Sequence, residues 1–283
     1  MRSYLMIGLG GVALIVGASV ALARTNTGDR ADQQATIPPG AADAVARLNT
    51  SQRHSEWVVV KSGSDSIRAW VVHPERRDNA PVVVVIHEIY GLSNWIRGVV
   101  DQLAADGFIA IAPDLLTMQN IPQTAEREPD RQAANAAIRT IQPADYQRQI
   151  RAVADYAMAM PGAIKKYGVV GYCWGGTAVF NHAIFYPDVG AVVSYYGRTP
   201  RPLEEYAKIK APVLGLYGTN DAGVNGTIPQ ADSAMKALSK TYDHQTFEGA
   251  GHGFLRQQDQ PANLEATKKA WPLTVAWFRR TLR

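Results

Sequence analysis

Tyr167-Gly168-Val169-Val170-Gly171-Tyr172-Cys173-Trp174-Gly175-Gly176 is the stretch on which the reading of this chain turns. A short apolar strand runs into Gly-x-Cys-x-Gly and then into sequence that reads as helix. Such a strand–turn–helix forms a nucleophile elbow, which holds its central residue in a strained, sharp turn with the side chain exposed at the tip. Gly171 and Gly175 suit that turn, because a side chain at either position would collide with neighbouring backbone. Cys173 is the only cysteine among 283 residues. The alternative at this point is a buried structural thiol, since free cysteine is among the most buried residue types.

Two downstream segments bear on that choice. Val213-Leu214-Gly215-Leu216-Tyr217-Gly218-Thr219-Asn220-Asp221 is an apolar strand ending in an acid. Phe247-Glu248-Gly249-Ala250-Gly251-His252-Gly253-Phe254 places a histidine in a glycine-rich loop after another short strand. The order nucleophile, acid, histidine is that of the α/β-hydrolase fold and differs from the orders in chymotrypsin and subtilisin. In these roles His252 takes the thiol proton and later protonates the leaving group, while Asp221 fixes its tautomer and steadies the imidazolium. Asp232 and Asp243 are rival acids, but one falls in an expected helix and the other just before a strand. His54, His73, His87, His182 and His244 lack such a setting and read as structural or surface residues.

A fourth element is Pro81-Val82-Val83-Val84-Val85-Ile86, a buried-strand run that ends in His87-Glu88-Ile89-Tyr90-Gly91. Together with Gly-Tyr-Cys-Trp-Gly-Gly, Gly-Thr-Asn-Asp and Ala-Gly-His-Gly-Phe, it resembles the dienelactone hydrolase (carboxymethylenebutenolidase) family over about residues 55 to 283. The resemblance implies a largely neutral resting thiol held by Glu88, which substrate displaces so that the carboxylate helps generate the thiolate. That gating agrees with thiol chemistry, in which the thiolate is both the reactive and the oxidisable form. A salt-bridged carboxylate at a strand end is the bland alternative for Glu88. The oxyanion donors implied are the backbone N–H groups of Trp174 and Ile89.

The family clamps a substrate carboxylate between two arginines. Arg256, four residues after His252, matches one, and Arg131 falls where the other should be. Bidentate guanidinium is the usual device for a planar carboxylate. Arg131 nevertheless lies in a charged stretch, Glu126-Arg127-Glu128-Pro129-Asp130-Arg131, where solvated surface charge is the default. Departures from the family pattern fall in the pocket: Asn135 stands where a tyrosine is usual, Ile138 where an aromatic would help form the wall, and Gly253 where a serine adjoins the histidine. Asparagine donates a hydrogen bond but cannot fill a pocket as a phenol does.

The N-terminus bears on location. After Met1-Arg2, the uncharged run Leu5 to Val20 ends in Ala21-Leu22-Ala23, which reads as a secretory signal over residues 1–23. The alternative is an uncleaved anchor over residues 4–23, just long enough to span a bilayer. A secreted protein is expected, periplasmic if the source is a Gram-negative bacterium, and a single cysteine suits such an oxidising compartment. Residues 24–50 read as a polar linker with Pro38-Pro39-Gly40 and a short helix near Ala41–Leu48. Residues 51–283 are of a size for one domain.

Strands are expected at 56–60, 66–72, 82–86, 108–112, 167–171, 191–195, 213–217 and 244–247, with helices between them. Continuous Val/Ile runs mark central strands covered on both faces. The expected fold class is therefore α/β, an α/β-hydrolase with a doubly wound, mostly parallel sheet of about eight strands and helices on both faces. The formal charge of +4 is carried by scattered rather than banded basic residues, so nucleic acid is not an expected partner. No Cys/His cluster has metal spacing and no phosphate loop is present, so neither a metal nor another cofactor is expected. The expected activity is hydrolysis of an activated ester or lactone, including carboxylate-bearing ones, by a monomer. The alternatives are a broad carboxylesterase without the arginine clamp and a non-catalytic binding protein on the same fold.

Overall fold

The computed structural model describes Met1 and residues 36–283, apart from 76–78, 123, 125–127 and 201. The signal or anchor expected over residues 1–23, beyond Met1, and the first part of the expected linker lie outside the described residues. From Thr36 onward the chain forms one compact unit.

Its sheet contains β1 (Ser55–Ser62), β2 (Asp65–Val72), β3 (Ala80–Ile86), β4 (Ile109–Pro113), β5 (Ala163–Tyr172), β6 (Ala191–Tyr195), β7 (Val213–Asn220) and β8 (Tyr242–Gly251). Their spatial order is β1-β2-β4-β3-β5-β6-β7-β8. β2 is antiparallel to both β1 and β4, and every later pairing is parallel. The helices are α1 (Ala44–Thr50), α2 (Asn94–Ala105), α3 (Arg131–Ile138), α4 (Pro143–Met158), α5 (Trp174–Phe185), α6 (Ala222–Asn225), α7 (Ile228–Ala237) and α8 (Pro261–Thr281).

The unbroken valine run of β3 conceals a strict alternation. Val82, Val84 and Ile86 join the cluster formed with α4, α5 and α7, while Val83 and Val85 join the cluster formed with α2 and α8. Successive side chains of a strand point to opposite faces, so a strand apolar at every position needs a covering layer on each side. Trp95 of α2 and Trp271, Trp277 and Phe278 of α8 supply much of one layer. Pro272 lies inside α8, where its missing N–H and its ring would be destabilising in a buried turn. It sits on the exposed face, between the buried Trp271 and Thr274.

The connections leave β3 in both directions, to β4 on one side and toward β5 on the other. At such a switch point the loops diverge and open a crevice beyond the carboxyl ends of the strands, the usual ligand position in open α/β sheets. The Glu88 loop follows β3, and the elbow follows β5.

Residues 36–50 depart from the linker reading. Ile37 is buried, the ring of Pro39 packs where any side chain on Gly98 would stand, and Ala44 of α1 is fully buried in the core cluster of α2 and α8. Ala41 N–H donates to the Arg256 carbonyl at 2.8 Å and Gln258 Nε2 donates to the Pro38 carbonyl at 3.0 Å. Proline and glycine here shape a close-fitting strap rather than a tether. It braces the loop that carries His252 and Arg256.

Candidate active site

Cys173 sits between β5 and α5 with φ 55° and ψ −115°, a conformation that a residue bearing a Cβ rarely adopts. Holding it there costs about 1–3 kcal/mol, which the surrounding structure must supply. Two glycines make the turn possible. A Cβ on Gly171 would lie 2.1 Å from the Gly175 carbonyl oxygen, and one on Gly175 would lie 2.4 Å and 2.5 Å from the oxygens of Ile86 and His87. Cys173 N–H donates to the Tyr195 carbonyl at 3.0 Å, tying the elbow to β6. Trp174 is the first residue of α5, so its N–H belongs to the first helical turn, which has no intrahelical acceptor.

Asp221 follows β7 and His252 follows β8, so both arrive from the same end of the sheet as Cys173. His252 Nδ1–H donates to Asp221 Oδ2 at 2.6 Å. Asp221 stands at the N-cap of α6, yet its side chain does not cap that helix. The carboxylate is committed to the imidazole. With Nδ1 so engaged, Nε2 is the ring nitrogen left to take a proton from Cys173, the group that acts most strongly on His252. Interaction with Cys173 first, and then the bond to Asp221, raise His252 to about 9 against the opposing effect of burial. A thiol, an imidazole and a carboxylate arranged in this order can move a proton off sulfur and store it on nitrogen.

Glu88 is 6% exposed. Its Oε2 lies 3.5 Å from Arg256 Nε. Burial raises its pKa to about 7, although Arg256, His252 and Arg131 all act to lower it. The carboxyl is therefore poised to change charge near neutrality. The resemblance implies that Glu88 holds the resting thiol; the contact described for Glu88 is with Arg256.

Arg131 and Arg256 converge, although 125 positions separate them in the chain. Their guanidinium carbons lie 5.1 Å and 5.3 Å from the ring centroid of Tyr90. Cation–π attraction holds both arginines beside Glu88 without neutralising either. Tyr90 was not among the residues singled out by sequence. The Glu-Ile-Tyr-Gly tripeptide-plus-glycine after β3 was its only local signal. Arg131 is also the first residue of α3, where the helix dipole disfavours a cation. Its position is thus not explained by helix stability.

Asn135 turns elsewhere, since its Oδ1 accepts from Arg139 Nε at 3.3 Å on the exposed side of α3. Ile138 is buried in a small cluster with Leu116 and Ala134, against which Ile89 and Trp174 pack. It therefore lies beside both residues implied as oxyanion donors. Beneath the site, the ring of Tyr196 lies 5.2 Å from that of His252. The hydroxyls of Tyr196 and Tyr172 are buried without hydrogen-bond partners. Two remaining histidines are structural. His87 Nδ1–H donates to the Glu88 carbonyl at 2.7 Å, and its Nε2 accepts from Leu115 N–H at 3.3 Å. His182 is held between Gln147 and Tyr167 in the core.

Strand order, elbow and the order of the three polar residues define an α/β-hydrolase fold. The sequence profile of the Dienelactone hydrolase family matches residues 67–282. The chain belongs to that family, whose members act as hydrolases on ester or lactone substrates. A relative from Saccharolobus solfataricus with a provisional carboxymethylenebutenolidase name is 30% identical over 249 residues, covering 77% of this chain and 96% of its own. One of the same description from Methylorubrum extorquens is 30% identical over 225 residues, covering 76% and 77%. A Klebsiella pneumoniae structure provisionally assigned as a dienelactone hydrolase superposes with TM-score 0.72 at 26% identity, covering 81% of this chain and all of that one. The fold is also shared with P91, a dienelactone-hydrolase-like promiscuous phosphotriesterase from metagenomic libraries. That comparison has TM-score 0.70 at 20% identity and covers 82% of this chain and all of P91.

Proposed function

We propose that the protein hydrolyses an activated ester or lactone through Cys173. The observation that carries this reading is His252, whose Nδ1 is bonded to Asp221 at 2.6 Å while the elbow thiol of Cys173 acts on the same imidazole. Sulfur gives its proton to His252 Nε2 and attacks the carbonyl carbon. The resulting oxyanion is met by the N–H groups of Trp174 and Ile89. The carbon–oxygen bond of the ester then breaks, and the departing oxygen takes the proton from His252. Water, deprotonated by the same imidazole, attacks the thioester and restores the thiol. Asp221 holds the imidazole tautomer throughout.

Arg131 and Arg256, steadied by Tyr90, are the proposed seat for a substrate carboxylate. In this reading the incoming carboxylate replaces Glu88 on Arg256, and the released Glu88, with a pKa of about 7, assists deprotonation of Cys173. A second reading, an esterase for neutral substrates, is favoured by one fact: Glu88 already occupies Arg256. Steady-state hydrolysis of a dienelactone and of a neutral p-nitrophenyl ester separates the two. The expected outcome is lactone preference that disappears in Arg131→Gln and Arg256→Gln, with Cys173→Ala inactive on both substrates. Full turnover by Cys173→Ala would overturn the thiol mechanism, and equal kcat/KM for both substrates would favour the second reading.

We also propose that the chain is exported, on the strength of the apolar run from Leu5 to Val20 followed by Ala21-Leu22-Ala23. Among the described residues no helix is long and apolar enough to cross a membrane. N-terminal sequencing of the protein from a periplasmic extract is expected to begin at Arg24. A start at Met1 would support the anchor.

A further inference from the structure

β1 and β2 form a hairpin at the sheet margin, and its open end carries two histidines and a glutamate. His54 precedes β1 and His73 follows β2. The His73 N–H donates to the His54 carbonyl at 3.0 Å, which carries the pairing one step beyond Ser55 opposite Val72. His54 and His73 are thus cross-strand partners. Glu56, two residues along from His54, shares its face, because side chains of a strand repeat every second residue. His54 Nε2 lies 3.3 Å from Glu56 Oε1, and the imidazole centroids are 5.4 Å apart. One ligand atom from each of the three residues lies within 4.8 Å of the other two.

We propose that His54, Glu56 and His73 bind one divalent transition-metal ion of the zinc class, with water completing its coordination. Bonds of about 2.0–2.2 Å from imidazole nitrogen and carboxylate oxygen place tetrahedral ligand atoms about 3.3 Å apart. The His54–Glu56 separation already has that value. The wider separations close by roughly 1.5 Å through rotation of side chains that are not packed, since His54 and Glu56 are 70% and 50% exposed. Two imidazoles and one carboxylate suit zinc, copper or nickel and suit magnesium and calcium poorly. The adjacent cation is compensated, because Arg53 is bonded to Asp101 and lies 3.6 Å from Glu75.

The site is remote from the thiol. β2 runs antiparallel to β4 with Val72 opposite Ala110, so His73 lies at the amino ends of the parallel strands. Cys173 lies at their carboxyl ends, three places across the sheet from β2. A bound ion would close the open end of the hairpin. Its effect would be on stability and not on the reaction.

The test is equilibrium dialysis of chelator-stripped protein against zinc chloride, with the bound metal counted by mass spectrometry. Wild type, Cys173→Ala, Glu56→Gln, His54→Gln and His73→Ala are compared, and retained ester hydrolysis shows that the three hairpin variants are folded. The expected result is one zinc equivalent that survives Cys173→Ala and is not displaced by a hundredfold excess of magnesium. Each hairpin substitution should weaken it at least about tenfold, since even partners beyond the ligands are worth that much. Zinc should also raise the Tm of wild type and not that of His73→Ala. Absence of any zinc equivalent that survives Cys173→Ala overturns the proposal. So does unchanged affinity in folded Glu56→Gln, His54→Gln and His73→Ala.

Discussion

Glu88→Gln separates two accounts of the buried carboxyl. If the ion pair with Arg256 dominated, the carboxylate would be stabilising and its loss would destabilise the fold most at high pH. The structure indicates the reverse, because burial outweighs three nearby cations and raises the folded pKa to about 7 from an ordinary 4.5. A carboxyl raised in the folded state binds its proton more tightly there than in the unfolded chain. The Glu88 contribution to wild-type stability therefore falls as pH rises from about 4.5 to about 7 and is flat beyond. A shift of that size corresponds to about 3 kcal/mol at pH 8 and almost nothing at pH 4. Glutamine resembles the neutral acid in shape and cannot ionise. The difference in unfolding free energy between Glu88→Gln and wild type should thus move in favour of the variant by about 3 kcal/mol between pH 4 and pH 8. Packing effects of the substitution cancel in that double difference. Urea denaturation at pH 4, 6 and 8 measures it. His252 titrates nearby, so the same series in a Glu88→Gln/His252→Ala pair removes any cross-term. A difference that is independent of pH, or that turns against the variant as pH rises, would refute the argument.

Further expectations concern the elbow, the proton relay, the core and the strap. Gly175→Ala places a methyl 2.4 Å from the Ile86 carbonyl and should lower both urea midpoint and hydrolysis sharply; wild-type values would show that the turn has room. Asp221→Asn removes one of the bonds that hold His252 at about 9, so the basic limb of the pH–rate profile should move to lower pH as kcat falls about a hundredfold or more. An unmoved limb would mean that another group titrates there. Gln147→Leu strips His182 Nδ1 of its acceptor and should cost about 1–3 kcal/mol by urea denaturation at pH 7. Burial lowers His182 to about 3, so its contribution to wild-type stability is full above about 6.5 and is lost as pH falls toward 3. Ile37→Ala, in the strap, should cost about 2 kcal/mol or more, and an unaltered midpoint would return residues 36–50 to the status of a linker.

What sequence conveyed and what it hid divide along a physical line. The central strands were legible because a strand buried on both faces must be apolar at every position, as Val82 to Ile86 are. The elbow was legible because only glycine satisfies the approaches at Gly171 and Gly175, and these lie within five residues. Asp221 and His252 were placed by chain order, since each parallel strand delivers its loop to the same edge. Features assembled across the chain were not legible. Tyr90 has both Arg131 and Arg256 beside its ring because three segments of the chain meet over a topological switch point, and no local pattern marks that meeting. Pro38-Pro39-Gly40 has linker composition, yet the same residues are what a close-fitting strap needs to pass a glycine on a helix. His54, Glu56 and His73 escaped a search for short metal spacings because their proximity depends on hairpin register. Nothing in the 18 intervening positions states that His73 pairs with His54 and not with a neighbour. A slip of one residue would turn His73 to the other face, away from Glu56. Register therefore decides whether these residues form a metal site or remain three unrelated surface side chains, and the backbone bond from His73 to His54 sets it.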